Sequence, residues 1–179
     1  VVLTGASVTL AAGSSIDVSA PNKGGTVLVG GDYQGKNPQV RNAQTTTMEA
    51  DATINADAAL KGDGGKVILW ADDKTQYSGK ITARGGPQGG DGGFVETSGK
   101  RSLVVENPVD ASAPRGKAGT WLLDPYDITI SDAGDNNMTP GPSDFTSTGT
   151  PSVLNAATLE AALNGGSNVT VSTGAGGGE

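Results

Sequence analysis

The chain has 179 residues, with 12 Lys and Arg against 19 Asp and Glu, a formal net charge of -7, and neither cysteine nor histidine. These counts exclude disulfide bridges, thiolate nucleophiles, imidazole bases and any metal or haem site that depends on Cys or His ligands. The acidic balance argues against nucleic acid as a partner, and no run of about 18 apolar residues predicts membrane insertion.

Short apolar runs with a period of two residues follow one another along the chain, and Gly, Asn, Asp and Pro separate them. This pattern is typical of many short β-strands. The runs are Val8 and Leu10, Ile16 and Val18, Val27 and Val29, Val67 and Leu69, Val104 with its neighbours, and Ile128 and Ile130.

One stretch near the C-terminal end has a helical pattern instead. Asn155 is a suitable N-cap for a helix over about 156–163, Leu159 and Leu163 lie four residues apart on one face, and Gly165 supplies the stop. We expect residues 153–179 to contain this helix and the start of a further, truncated repeat. Since the sequence begins and stops inside its own pattern, we expect a fragment of a longer chain.

An internal repeat is the strongest signal in the sequence. Four segments share a β-branched residue, a polar one, a small one, a Gly- or Pro-rich bend, and a Gly before an apolar run. They begin at Ile16, Ile54, Ile81 and Val109, so that the intervals are 38, 27 and 28 residues. A repeat of about 27 residues with a polar excursion near 31–47 explains these intervals.

Repeats of this kind predict a parallel β-helix, in which equivalent residues stack in columns. An antiparallel sandwich is the alternative, but it gives no reason for a fourfold repeat. Coils are predicted over 1–131, and a second polar excursion over 131–152. The predicted inward columns are Val27, Val67, Val95 and Trp121; Val29, Leu69, Thr97 and Leu123; Ile16, Ile54, Ile81 and Val109; and Val18, Ala56, Ala83 and Ala111, beside an outward polar row of Asp17, Asn55, Thr82 and Asp110.

Three passages resemble a known family. They are GGKVILWADDKTQYSGKITARGGPQGGDGGFVETSGK, then GTWLLDPYDITIS, then LNAATLEAALNGGSNVTVST. The chain is similar here to the filamentous-haemagglutinin-like exoproteins of Gram-negative bacteria, the secreted partners of two-partner secretion systems. The likeness is most specific from about Gly64 to Ser131. Asn37-Pro38 and Asn107-Pro108 do not stand in the context of the family's secretion domain, so we expect a segment that follows that domain.

The resemblance implies an all-β fold, a right-handed parallel β-helix with one short helix, in a secreted protein at the bacterial cell surface. It implies export through an outer-membrane pore transporter. It also implies a structural and adhesive role in attachment to host cells, surfaces or biofilm matrix, through a receptor, glycan or matrix polysaccharide. Lateral self-association of chains stays open. Some relatives capture haem carriers, which makes a haem or iron-carrier capture module using Ser131 to Ser152 one alternative.

A carbohydrate-active β-helix enzyme is the other alternative, because such enzymes use clustered carboxylates with a basic residue. The acidic spots are Asp72 with Asp73, Asp17 with Asp110, Asp124 with Asp127, and Asp132 with Asp135. None pairs with a basic residue and an aromatic platform on one predicted face, so a solvated face is the better interpretation. We therefore expect no enzyme, no catalytic or metal-binding residues and no cofactor.

Two sets of residues remain as candidate sites. Leu28, Ile68, Trp70, Phe94 and Leu122 point outward in the predicted register, where they form an exposed contact patch unless the excursions cover them. Asn137 and Asn168 stand in Asn-x-Thr triplets and are candidate glycosylation sites.

Overall fold

The computed structural model describes residues 1–126, 128–131 and 152–172. They form short strands, one 3-10 turn at Tyr33–Gly35 and one helix, α1, at Ala156–Asn164. The strands are β1 (Val2–Leu3), β2 (Ser7–Leu10), β3 (Ser15–Asp17), β4 (Thr26–Val29), β5 (Thr45–Met48), β6 (Thr53–Asn55), β7 (Lys66–Ala71), β8 (Lys74–Tyr77), β9 (Lys80–Thr82), β10 (Phe94–Gly99), β11 (Ser102–Val105), β12 (Thr120–Leu123), β13 (Ile128–Ser131), β14 (Ser152–Asn155) and β15 (Asn168–Val171).

The strands belong to three parallel sheets, which the chain visits in turn. Sheet A has the order β1-β4-β7-β10-β12-β15, sheet B has the order β13-β14-β11-β8-β5-β2, and sheet C has the order β3-β6-β9. From β1 to β11, neighbours within a sheet are separated in sequence by one strand of each of the other two sheets. The fold is mostly parallel β-structure with one short helix, as expected for the all-β class.

The register of sheet A is the one that the repeat predicted. Val27 is paired with Val67, Val67 with Val95, and Val95 with Trp121. All four side chains are fully buried in one continuous apolar core, as is the second predicted column through Leu69 and Leu123. Because a slip of one residue would turn every side chain to the other face, the buried valines hold this register.

Sheet C also follows the predicted alignment. Ile16 is paired with Ile54 and Ile54 with Ile81, and the column continues at the buried Val109. The predicted polar row is in register as well, since Asp17 faces Asn55, Asn55 faces Thr82, and a single bridge joins Thr82 to Asp110. Thr82 is nevertheless buried, and its hydroxyl lies 3.3 Å from the side-chain oxygen of Asn55.

The corner between sheets C and A explains the paired glycines. At each of four successive corners the second residue of a pair donates its N–H to a carbonyl of its own repeat: Gly25 to Val18, Gly65 to Ala56, Gly93 to Ala83 and Gly119 to Ala111, at 2.7–2.9 Å. A Cβ on Gly65 would lie 2.1 Å from the carbonyl oxygen of Gly25 in the neighbouring repeat. Only glycine allows the backbones to approach this closely.

Sheet B was only partly predicted. The predicted excursion near 31–47 ends earlier, because Thr45–Met48 is strand β5, between β2 and β8. Threonines form a buried column in this sheet, in which Thr46 of β5 is paired with Thr75 of β8. Each donates its hydroxyl to a sheet A carbonyl, Thr46 to Trp70 at 2.7 Å and Thr75 to Ser98 at 2.8 Å. The buried hydroxyls are thus paired, so polar residues fill core positions at little cost.

The C-terminal part contains the predicted helix, α1, capped by the side chain of Asn155, which accepts the N–H of Ala157 at 2.7 Å. Leu159 packs against the core, as its position on the predicted apolar face requires. Leu163 does not, since it is exposed and Ala162 is buried instead. β15 then extends sheet A beside β12, whereas β14 lies between β11 and β13.

Candidate functional site

The predicted contact patch is not an exposed surface. Leu28, Ile68, Trp70 and Leu122 are buried, and Phe94 is half-buried. Leu28, Ile68 and Trp70 form a second apolar cluster with Val40 and Phe94 packed against it. The covering segment is residues 31–44, which we call the excursion. The exposed-patch prediction is therefore wrong, and its alternative, coverage by an excursion, is confirmed for this segment.

The excursion fits closely because glycine lets its backbone lie on the ring of Trp70. A Cβ added at Gly35 would lie 2.5 Å from ring atoms Cε2 and Nε1 of Trp70. Gly35 also has a φ of +63°, a conformation that favours glycine. The tryptophan is consequently 5% exposed, although it points away from the main core.

A half-buried carboxylate, Asp32, holds the start of the excursion against sheet A. Its Oδ1 accepts the N–H of Tyr33 at 2.7 Å and the ammonium of Lys66 at 2.6 Å, and its Oδ2 accepts the amide of Asn37 at 2.9 Å. Burial alone would raise the pKa of Asp32. The hydrogen bonds from Asn37, Lys66 and the Tyr33 backbone outweigh burial and lower this pKa to about 2.

A second carboxylate, Glu96, lies fully buried beneath the 3-10 turn of the excursion. The backbone N–H of Gln34 points at both of its carboxylate oxygens, at 3.2 Å each. Burial is the largest influence and raises the pKa of Glu96 to about 7. The charge of Asp124 acts in the same direction, and the hydrogen bonds from Gln34 and Ser98 oppose it. Glu96 is therefore an acid that titrates near neutral pH.

The third carboxylate, Asp124, is 7% exposed, so the solvated-face interpretation is wrong for this residue, while its neighbour in the acidic spot, Asp127, lies outside the described residues. Its Oδ2 accepts the side-chain amide of Gln34 at 2.5 Å, and its backbone N–H donates to the hydroxyl of Ser98 at 3.1 Å. Its Oδ1 is buried and has no hydrogen-bond partner among the described residues. Gln34 bridges the two acids with its backbone at φ 52° and ψ 24°, a left-handed conformation that is uncommon outside glycine.

Gln34 and Asp124 border a cavity of about 610 Å³, which we call the Asp124 pocket. Asn42 donates its amide to the carbonyl of Gly35 and to Asp72 Oδ1, both at 3.0 Å. Its own Oδ1 is buried and receives no hydrogen bond from any described residue. On the other side, the ammonium of Lys100 lies 5.5 Å from the ring centroid of Tyr126. Besides Gln34 and Gly35, the pocket is lined by Lys36, Asn42, Trp70, Asp72, Lys100, Asp124, Tyr126 and Ser172.

The carboxylates of the pocket bear on the enzyme alternative. A glycoside hydrolase needs two carboxylates that both reach the substrate, one as an acid and one as a base or nucleophile. Asp72 and Asp124 both line the pocket, whereas Glu96 is fully buried and does not. The expectation that the chain is not an enzyme therefore stays a prediction.

A second concavity, of about 780 Å³, runs along the glycine corners. Tyr33 and Phe94 stand beside it with ring centroids 5.8 Å apart. The N–H groups of Gly64 and Gly92 on its floor already donate to carbonyls of the following repeat, at 2.9 and 2.8 Å. These two N–H groups are therefore not free to bind an incoming strand.

Asn168 is the one candidate glycosylation site within the described residues, and it lines neither of these cavities. Asn168 is exposed in β15, and its amide donates to the carbonyl of Ala118 at 2.9 Å, while Asn137 lies outside the described residues. Glycosylation at both stays a prediction. The described residues contain no group of three or more Asp or Glu that could hold a metal ion, and Asp132 and Asp135 lie outside them.

No protein-family model matches the chain, and no curated protein matches it. Among the described residues, no helix has the length and apolar character needed to cross a membrane.

Proposed function

We propose that this chain is a shaft segment of a large secreted bacterial surface adhesin, built as a right-handed parallel β-helix. The observation that carries the proposal is the repeated visiting order of sheets A, B and C, with equivalent residues paired from one repeat to the next. Through β9, each repeat adds one strand to each sheet. At about 4.8 Å per repeat, such a chain extends in one direction and presents the same surface many times.

The role proposed for this shaft is to carry a distal binding region away from the cell and to add weak repeated contacts that gain strength through multivalency. The partners are an outer-membrane pore transporter for export and a host receptor, glycan or matrix polysaccharide for attachment. The absence of cysteine fits passage through a pore in an unfolded state, since no disulfide can form beforehand. The likeness to filamentous-haemagglutinin-like exoproteins in three passages supports the same role.

Removal of exactly one repeat tests the architecture. Phe94 is paired with Thr120, 26 residues further along, so deletion of residues 92–117 joins Asp91 to Ala118 and keeps the register. We expect the shortened protein to keep a β-rich circular dichroism spectrum and cooperative unfolding. The matched control deletes residues 92–104, half a repeat, and should not fold. Equal behaviour of the two deletions would contradict the β-helix.

Attachment is tested separately in the bacterium that makes the full-length protein. We expect the protein to be absent from the cell surface when the gene for the pore transporter is removed. We also expect adherence to host cells or to a biofilm matrix to fall when the adhesin gene itself is removed. Normal adherence without the adhesin would contradict the adhesive role, whatever the deletion variants show about the fold.

A further inference from the structure

A shaft needs no cavity, yet the Asp124 pocket has two buried acceptor atoms in its wall that receive no hydrogen bond from the part of the chain that the structure describes. They are Oδ1 of Asp124 and Oδ1 of Asn42. A buried acceptor without a donor is costly, because it has lost its hydrogen bonds to water and has gained none in return. Two such atoms beside one pocket point to a ligand that brings hydrogen-bond donors.

The charges around the pocket narrow the class of ligand. A cation would be attracted by Asp72 and Asp124 but repelled by Lys36 and Lys100, which line the same cavity. An anion would be attracted by the two lysines but repelled by the two aspartates and by the nearby buried Glu96. A neutral molecule with several hydroxyl groups suits both, because each hydroxyl donates to a carboxylate or amide oxygen and accepts from an ammonium.

The aromatic residues favour the same class. Tyr126, which is half-buried, lines the pocket beside the buried Trp70, and the apolar C–H face of a sugar packs well against an accessible aromatic ring. The volume, about 610 Å³, lies within the range of small-molecule sites. We propose that the Asp124 pocket binds a neutral sugar residue, whose hydroxyl groups donate to Asp124 and Asn42.

Entry requires one exchange of hydrogen bonds. The amide of Gln34 now occupies Oδ2 of Asp124, while the oxygen of the same amide accepts from Lys36 Nζ at 2.7 Å. A pair of adjacent sugar hydroxyls replaces the Gln34 amide and reaches both oxygens of Asp124. The inference deepens the adhesive role and rests on it for its biological meaning, but binding itself is a property of the chain alone.

The test is a titration of the protein with glucose, galactose, mannose and N-acetylglucosamine, followed by tryptophan fluorescence and by saturation-transfer NMR of the sugar. The chain has two tryptophans, and Trp121 is fully buried in the main core, so a change in emission reports on Trp70. We expect saturable binding of at least one neutral sugar at millimolar concentration. Binding should be at least about tenfold weaker in Asp124→Ala and weaker in Asn42→Ala. The exposed Asp17→Ala on sheet C is the matched control and should bind normally.

One further variant should bind more tightly, which damage to the fold would not produce. Gln34→Asn shortens the competing amide by one methylene, and asparagine tolerates the left-handed backbone at this position. The proposal is overturned if no neutral sugar binds at 100 mM, or if Asp124→Ala binds as well as the parent while its circular dichroism is unchanged. Stronger binding of glucosamine or N-acetylneuraminic acid than of every neutral sugar would overturn it too. Such results would leave the proposed shaft untouched, since the repeat deletions test that independently.

Discussion

Replacement of Glu96 by glutamine should stabilise the protein above pH 4.5, and most at neutral and alkaline pH. Glutamine has the same shape and keeps an oxygen that can accept the N–H of Gln34, but it has no charge to bury. In the parent, burial raises the pKa of this fully buried carboxyl from 4.5 to about 7. The folded chain therefore resists ionisation of Glu96, whereas the unfolded chain does not.

The sign and size of the effect follow from these two pKa values. Below pH 4.5, Glu96 is protonated in both states and has no effect on stability. Between pH 4.5 and 7, ionisation in the unfolded chain alone lowers the free energy of unfolding progressively. Above pH 7 the loss levels off at about 3 kcal/mol, since each unit of pKa shift corresponds to about 1.4 kcal/mol. Asp32, with its lowered pKa of about 2, loses its stabilising effect only between pH 3.8 and 2, outside this window.

The assay is urea unfolding of both proteins at half-unit steps from pH 4.5 to 8.5, with the free energy of unfolding extrapolated to water. We expect equal stability at pH 4.5 and a gap that widens to about 3 kcal/mol by pH 8. Glu106→Gln is the matched control, because it makes the same substitution at an exposed glutamate. A gap that stays constant from pH 5 to 8, or a less stable Glu96→Gln at pH 8, would refute the account of Glu96.

Three further substitutions test the packing by thermal or urea unfolding. Gly65→Ala should lower the free energy of unfolding by at least about 2 kcal/mol, because the added Cβ meets the backbone of the neighbouring repeat. Gly165→Ala is the control and should cost far less, since the nearest atom to its added Cβ is 3.1 Å away. Equal losses in the two variants would contradict the corner geometry. Thr75→Val should cost about 1–3 kcal/mol by leaving the carbonyl of Ser98 without its hydroxyl partner, and Thr45→Val on the less buried position of β5 should cost less. Asn155→Ala should cost about 1 kcal/mol through loss of the N-cap of α1, and no change would show that the cap contributes nothing.

The sequence predicted the parts of the fold in which apolar residues recur at fixed offsets. The glycine pairs mark the corners, and the columns through Val67 and Ile54 follow from a gapless alignment that the observed pairing reproduces. Strands β5 and β8 of sheet B were not predicted, because they have threonine at core positions where the other sheets have valine. A threonine whose hydroxyl bonds to a neighbouring carbonyl is as suitable for the core as a valine, but in the sequence it has the character of a loop residue.

The burial of Glu96 could not be predicted from the sequence for a related reason. Glu96 occupies an outward position of sheet A, paired with Ile68 on one side and Leu122 on the other. In a strand with an open outer face, a glutamate there would be solvated. It is buried because Gln34, 62 residues earlier, folds over it. The one available signal was that its neighbours in the same outward row, Ile68 and Leu122, are large and apolar, which indicates that this face is covered.

The placement of β14 between β11 and β13 has a consequence for the order in which the chain can fold. From β4 to β12, every strand that emerges finds its partner already formed in the repeat before it, so each repeat serves as a template for the next. β13 is the exception, because its neighbour β14 lies later in the chain. A protein emerging N-terminus first therefore advances by local additions and then pauses until residue 155 has appeared. The strands from β4 to β12 can add one at a time, whereas β13 can join sheet B only together with β14.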